Sequence, residues 1–374
     1  MNFELKNSYF HQSFQEFRDI VIGDKPVCGN LSKMVKKMNW QILWWIISTL
    51  CIPVSVPLIT MQLYKRYRLR ILKSQLKGKV VLITGASSGI GEALAHQFYQ
   101  AGCKIILTAR RQKELERVRD DLLRAHTSVA PAHQPIVITL DLADVASIPS
   151  AVQRANSIFG SIDILINNGG MSQRGSVHST KLEVDMQVMQ VNYFGQIALT
   201  KEILPYMIQR KAGHIVAVSS IQGRVAIPFR SAYSASKHAL QAFFDSMRPE
   251  IAQHNVHVTV VSPGYVQTQL SINAVTGSGQ KYGVMDETTA GGYPPEYVAQ
   301  QILNSVVLQE KEVVIATTGP RLAILLRSLS PGLYFWIMQK RANKMLADAK
   351  SKSNLGVAAN EGNSKNVGSE KKLE

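Results

Sequence analysis

Tyr233 and Lys237 stand four residues apart in A-Y-S-A-S-K-H-A, with Ser220 upstream of them and T-G-A-S-S-G-I-G far upstream at Thr84–Gly91. On a helix, positions i and i+4 share one face, so this spacing brings an ammonium close to a phenol. A free phenol titrates near pH ~10, and a neighbouring cation favours its ionised form. The pair is therefore expected to exchange a proton nearer neutral pH, as general acid–base catalysis requires. A lone Y-x-x-x-K equally describes a packed ring beside a solvated amine. Its coincidence with the glycine-rich run carries the signal.

Val80–Thr84 is an apolar, strand-like run, and Gly85, Gly89 and Gly91 follow it with T-G-x-x-x-G-x-G spacing. Glycines permit a tight turn and the close approach of a pyrophosphate, whose charge meets the N-terminus of the next helix. A strand before and a helical pattern after are the context such a dinucleotide cradle needs. After the second strand, T-A-R-R at Thr108–Arg111 lacks the acid that would bond an adenosine 2′-hydroxyl. Arg110 there suits a 2′-phosphate instead. NADP(H) is the expected cofactor. NAD(H) is the alternative, with Arg110 and Arg111 merely opening a charged helix.

This glycine spacing resembles the short-chain dehydrogenase/reductase family, and the likeness covers roughly residues 76–320. It continues through Asp141-Leu142, N-N-G-G at Asn167–Gly170 where the family usually has N-N-A-G, and Asn192 in V-N-Y-F-G. Ser220 in V-S-S, then Tyr233 and Lys237, and P-G-Y-V-Q-T at Pro263–Thr268 complete it. The resemblance implies a catalytic tetrad of Asn192, Ser220, Tyr233 and Lys237. Ser220 would bind the substrate oxygen, Tyr233 would move the proton, and Asn192 would hold a relay water. The implied cofactor residues are Gly85, Ser87, Ser88, Gly89, Ile90 and Gly91 on the turn, with Arg110 and with Asp141 at the adenine. Asn168, Tyr233, Lys237 and Thr268 complete that set. Ser219 competes with Ser220, and only family register selects between them. Glycine at 169 is expected to loosen its turn.

Within the family, I-P-F-R-S-A-Y at 227–233 and Y-G-V-M-D at 282–286 resemble the membrane-associated member 7B, while N-N-G-G-M-S-Q-R at 167–174 is similar to the sister member 7. A member-7-like branch implies reduction of lipid, steroid or retinoid carbonyls at peroxisomal or endoplasmic-reticulum membranes.

Strand-like runs near 80–84, 104–108, 136–140, 163–166, 214–218, 257–261 and 312–316 alternate with helical patterns at 91–101, 112–125, 145–158, 182–210, 231–254 and 295–309. Such alternation predicts a doubly wound α/β fold, a parallel sheet covered on both faces. Seven strands in the order 3-2-1-4-5-6-7 are expected. Residues 267–293 show no regular period and read as a mobile loop. His214, His238 and His257 lack partners at ligand spacing, and no metal is expected. Met171, Met189, Met285 and Met338 suit either an adaptable pocket or core gaps.

The chain of 374 residues carries a net charge of +16. Eleven Lys/Arg and no acid lie between Lys25 and Lys79, so the remainder carries only +5. That excess flanks an uncharged apolar run, Trp40–Tyr64, long enough for a hydrocarbon layer of ~30 Å. No aromatic-basic interleaving suggests a nucleic-acid groove. The expected organisation is an N-terminal segment 1–39, a single transmembrane anchor 40–64 and a basic linker 65–75. The dehydrogenase/reductase domain 76–320, an apolar and basic segment 321–349 and a disordered tail 350–374 follow. Lys65, Arg66, Arg68, Arg70 and Lys73 outnumber Lys33, Lys36 and Lys37, which points the domain to the cytosol. Lys371-Lys372 fits a reticulum retrieval signal; peroxisome and reticulum both stay open. Segment 320–346 suits a membrane surface, its own domain or the second subunit of a homodimer. Cys28, Cys51 and Cys103 are too few and scattered for a disulfide framework.

The reading is a membrane-anchored oxidoreductase that interconverts a carbonyl and a secondary alcohol on a hydrophobic substrate. The alternatives are an NAD-dependent steroid or retinol-type dehydrogenase and a non-catalytic cofactor-sensing scaffold.

Overall fold

The computed structural model describes residues 44–45, 48–49, 52–126 and 133–348. Segment 1–39, much of the upstream half of 40–64, and tail 350–374 with Lys371-Lys372 lie outside the described residues. The chain divides into two units, Met1–Tyr67 and Arg68–Glu374.

The second unit is built on strands β1 (Val80–Thr84), β2 (Lys104–Ala109), β3 (Ile136–Thr139), β4 (Ile164–Asn167), β6 (Gly213–Val218), β7 (Val256–Pro263) and β9 (Glu312–Ile315). They form one parallel sheet in the order β3-β2-β1-β4-β6-β7-β9, the expected topology. Every residue of β1 is buried, because a parallel strand is covered on both faces. Side chains alternate across the sheet. Val81 and Ile83 accordingly join Leu94, Phe98, Leu115 and Ile302 on one face. Val80 and Leu82 join Leu199, Ile203 and Phe244 on the other. Phe98 and Phe244 are fully enclosed, each burial contributing about 1.5–3 kcal/mol.

Helices α2 (Gly89–Gln100), α3 (Gln112–Ala125), α4 (Ile148–Phe159), α5 (Leu182–Met189), α6 (Gly195–Gln209), α7 (Ser231–Glu250) and α9 (Pro295–Val307) cover the sheet. Two expectations need correction. The helix expected over 182–210 is broken between α5 and α6 by a π turn, Gln190–Phe194, which interrupts the ordinary hydrogen-bond ladder. The loop 267–293 contains a two-residue strand β8 (Val275–Thr276), parallel to β5 (Gln173–Arg174), and a short helix α8 (Glu287–Ala290).

His214 on β6 is buried against Thr259, 2.8 Å away. Burial, with His257 beside it, pushes its pKa down to about 3, which agrees with a structural role.

Segment 320–346 forms helix α10 (Thr318–Leu329) and a second helix, α11, over 331–348. It packs on its own domain. Tyr334 is buried with Ile221, Val225 and Ala316, and its hydroxyl donates to the Ala226 carbonyl at 2.6 Å. The outer face exposes Leu325, Leu329 at 82%, Phe335 and Trp336.

Among the described residues, no helix is long and apolar enough to cross a membrane. Helix α1 (Ile52–Leu72) holds only the downstream part of the apolar run, and basic residues from Lys65 onward occupy the rest of it. Its Ile52, Val54, Leu58, Ile59 and Leu63 are all exposed.

Candidate active site

β1 has β2 on one side and β4 on the other, so the connections leaving β1 and β4 diverge and open a crevice at their C-terminal ends. Open α/β sheets bind ligands at such a switch point. Side-chain hydrogen bonds hold the two turns together there. Thr84 Oγ1 accepts from the Asn168 and Gly169 N–H groups at 2.9 and 2.8 Å, and Asn168 Nδ2 donates to the Thr84 carbonyl at 2.9 Å.

The glycines allow this approach. Gly85 has φ +66°, and a Cβ on it would lie 2.8 Å from Gly169 Cα. A Cβ on Gly91 would lie 2.1 Å from the Gly85 carbonyl oxygen. Gly169 does not loosen its turn as expected. Its N–H is held by Thr84 and its carbonyl accepts from Gln196 Nε2, while an alanine Cβ would meet Leu142 Cδ1 at 2.8 Å.

Helix α2 begins at Gly89 with no side-chain cap from Ser88, so its first N–H groups are available to an anion. A cavity of about 550 Å³ runs from this turn to the acid–base pair. Gly85, Ser87, Ser88, Gly89, Ile90, Arg110, Asp141, Asn168 and Thr268 all line it. Gly91 does not; its part is the close contact with Gly85. Arg111, read in the sequence only as opening a charged helix with Arg110, turns its side chain to the glycine turn: its Nη2 donates to Ser87 Oγ at 3.0 Å and Ser88 Oγ at 3.4 Å. Arg110 is exposed at the same rim. This open helix end, lined by backbone and hydroxyls and flanked by two guanidiniums, fits a dinucleotide.

Helix α7 carries the two titratable side chains at the far end of the cavity. Tyr233 and Lys237 are 6% and 4% exposed on its first turns. Lys237 Nζ donates to the Val218 carbonyl at 2.9 Å, at the end of β6, and stands 5.9 Å from the Tyr233 ring centre. Burial lowers the Lys237 pKa to about 8. The expectation that Lys237 would draw the Tyr233 phenol towards neutrality needs correction. Burial raises the Tyr233 pKa; the opposing influences are a hydrogen bond from Ser220 and the charges of Arg230 and Arg174.

The structure separates the two serines. Ser219 Oγ donates to the Lys237 carbonyl at 3.2 Å and is committed to the helix backbone. Ser220 caps the turn Ile221–Gly223 by accepting from Gln222 N at 3.1 Å, and its hydroxyl is among the groups that favour the Tyr233 phenolate. Asn192, fully buried in the π turn, donates to the Met171 carbonyl at 2.8 Å and Ser236 Oγ at 2.9 Å, and its Oδ1 accepts from Met171 N at 2.8 Å. It thus fixes the turn after β4. Met171 lines the cavity, Met285 lies at the neighbouring one, and Met338 packs under Tyr334.

Three charged groups also escaped the sequence reading: Arg174 and Arg230, which line the cavity, and Asp286, which binds both. Asp286 Oδ2 accepts from Arg174 at 2.6 Å and Arg230 at 2.9 Å. Each falls inside a string that carried the family likeness, and that was the available signal. No group of residues that could hold a metal ion occurs among the described residues.

The fold and this site define a dinucleotide-dependent oxidoreductase. The family model for short chain dehydrogenase matches residues 79–278. A dehydrogenase/reductase SDR family protein 7-like of Drosophila melanogaster is 52% identical, with 87% of this chain and 98% of the relative covered. A dehydrogenase/reductase SDR family member 7B of Bos taurus is 46% identical over 81% of this chain and 94% of its own. Among solved structures, a short-chain dehydrogenase from Streptomyces avermitilis matches with TM-score 0.57 and 28% identity, covering 71% of this chain and 99% of that one. The chain belongs to the short-chain dehydrogenase/reductase family and is an NAD(P)-dependent oxidoreductase.

Proposed function

We propose that this protein interconverts a ketone or aldehyde and the corresponding alcohol on a hydrophobic substrate, using NADP(H), beside a membrane. The observation that carries the reaction is the enclosure of Ser220, Tyr233 and Lys237 at one end of a cavity whose other end is the glycine turn.

When bound, the nicotinamide gives or takes the hydride. The chain's residues do the rest. Ser220 donates a hydrogen bond to the substrate oxygen and holds it against Tyr233. In reduction, the Tyr233 hydroxyl gives its proton to the oxygen as negative charge develops there; in oxidation, the phenolate takes one up. Lys237, with one N–H spent on Val218, has others to offer a ribose hydroxyl and a proton relay. Asn192 keeps the Met171 backbone in place behind the reacting atoms. Met171 and Leu270 supply apolar cavity wall, which favours a lipid-type substrate. Tyr233→Phe is expected to lower turnover by about 10²–10⁴-fold while NADPH affinity stays within a factor of about two. Steady-state kinetics on any accepted carbonyl and a fluorescence titration check this, and near-wild-type turnover would overturn the assignment.

Preference for NADP(H) rests on Arg110 and Arg111 flanking Ser87 and Ser88 with no acid at the end of β2. A charge-assisted bond to a phosphate contributes about 1.5–3 kcal/mol, or about one to two decades of affinity. Arg110→Ala and Arg111→Ala should each weaken NADPH selectively in a direct binding titration. Equal losses for NADPH and NADH would assign both residues to the fold.

Membrane attachment is supported by the apolar run 40–64 with its basic flanks, and by helix α1 exposing apolar side chains on all sides. The outer face of α10 and α11, with Arg327 and Lys340 beside Phe335 and Trp336, suits the interface of an anionic bilayer. Alkaline carbonate should fail to extract the protein. Protease added to sealed peroxisomes or microsomes should remove an epitope after Glu374 and spare one before Lys25. The opposite pattern would put the domain inside the organelle.

A further inference from the structure

Tyr233 lies on the third residue of α7, and the residue immediately before that helix is Arg230. Arg230 is 7% exposed and lines the same cavity as Tyr233. Arg174, on β5, approaches from the other wall. One carboxylate oxygen, Asp286 Oδ2, accepts from Arg174 Nε at 3.0 Å, Arg174 Nη2 at 2.6 Å and Arg230 Nη2 at 2.9 Å. Two guanidiniums share one carboxylate, so the cluster keeps a net positive charge. Among the described residues, Arg230 Nε has no hydrogen-bond partner.

The backbone is built to hold this arrangement. Phe229 has φ +62°, a left-handed conformation that a bulky residue rarely adopts and that clusters at functional sites. Its carbonyl accepts from Gly175 N at 3.1 Å, which ties the chain before Arg230 to the chain after Arg174. The pairing of β5 with β8 brings in the loop that carries Asp286.

We propose that Arg230 is a positioning residue that sets the proton affinity of Tyr233, and that Asp286 moderates it from the loop 267–293. A guanidinium keeps its charge at every pH at which the protein folds. Lys237, by contrast, begins to lose its proton near pH 8. Arg230 therefore supplies the permanent positive potential that favours the phenolate, partly cancelled by Asp286. The charged groups that act on Tyr233 are Lys237 and Arg230 from its own helical segment and Arg174 from β5, while Asp286 from the loop and Tyr265 after β7 act through Arg230. Arg110, Arg111, Asp141 and Lys281 complete the charged lining of the cavity.

The signs follow from electrostatics. Removing the Arg230 cation disfavours the phenolate and raises the Tyr233 pKa. Removing the Asp286 anion leaves the arginines uncompensated and lowers it. A role confined to packing would not move the two variants in opposite directions. The inference rests on Tyr233 as the proton-transferring residue, but its test needs no turnover, so failure of either reading can be told apart.

The test places a single 3,5-difluorotyrosine at position 233 of the full chain in detergent, and follows its ionisation by fluorine NMR against pH. Fluorination acidifies the phenol and brings the titration into the range where the fold survives. Arg230→Gln should raise the midpoint by about one pH unit, a tenfold change in proton affinity. Arg230→Lys should hold it near that of the parent, and Asp286→Asn should lower it. Circular dichroism verifies the fold of each variant; if Arg230→Gln does not fold, Asp286→Asn alone decides. A midpoint that fails to fall in Asp286→Asn, or fails to rise in a folded Arg230→Gln, overturns the proposal.

Discussion

The Lys237 ammonium is carried into a site where only 4% of the residue meets solvent. Burying a charge costs heavily unless it is paired or hydrogen-bonded, and the surrounding structure is arranged around that cost. The end of β6 offers the Val218 carbonyl to Nζ. The next residue, Ser219, holds the Lys237 carbonyl, so lysine head and helix backbone are fixed to the same stretch of strand. Ser236 bonds the Tyr233 carbonyl and receives a bond from Asn192, which grips both backbone groups of Met171. Strand end, π turn and the turn after β4 thus converge on the first turns of α7. The phenol is positioned by that lattice before any substrate arrives, which is how an enzyme meets the orientation demand of proton transfer.

The same crevice explains why the two halves of the site work together. β1 and β4 end side by side, and Thr84 binds the turn that follows β4. The glycine turn for the dinucleotide is therefore continuous with the Met171 segment that Asn192 locks beside Lys237. A side chain at Gly85 or Gly91 would break the first contact, because its Cβ would strike backbone. Cofactor cradle and acid–base pair are one mechanical unit.

The sheet was legible in the sequence because its strands are buried on both faces. Val80–Ile83 and Ile164–Ile166 read as unbroken apolar runs. Gly85, Tyr233 and Lys237 were legible because local spacing carried them, whereas Ser220 was separated from Ser219 only by family register. The break at Asn192 was not, since a π turn inside an apolar helix leaves the periodic signal nearly intact. Two-residue strands such as β8 have no period to detect. Arg174 and Arg230 lie 112 and 56 residues from Asp286, so only the fold assembles that cluster. Spacing also showed that Lys237 would neighbour Tyr233 but said nothing of enclosure, and enclosure raises the phenol's pKa.

The central claim is that this enclosed site transfers a hydride to a lipid-type carbonyl carbon and a proton to its oxygen, beyond merely holding the dinucleotide. The direct measurement incubates the detergent-extracted protein with membrane lipid extracts and NADPH deuterated at both C4 positions, followed by mass spectrometry of the lipid fraction. The account predicts deuterium on a carbon that bears a newly formed hydroxyl. A protein that binds the labelled dinucleotide tightly yet leaves all deuterium on it, across such extracts, would contradict the account and leave a cofactor-sensing scaffold in its place.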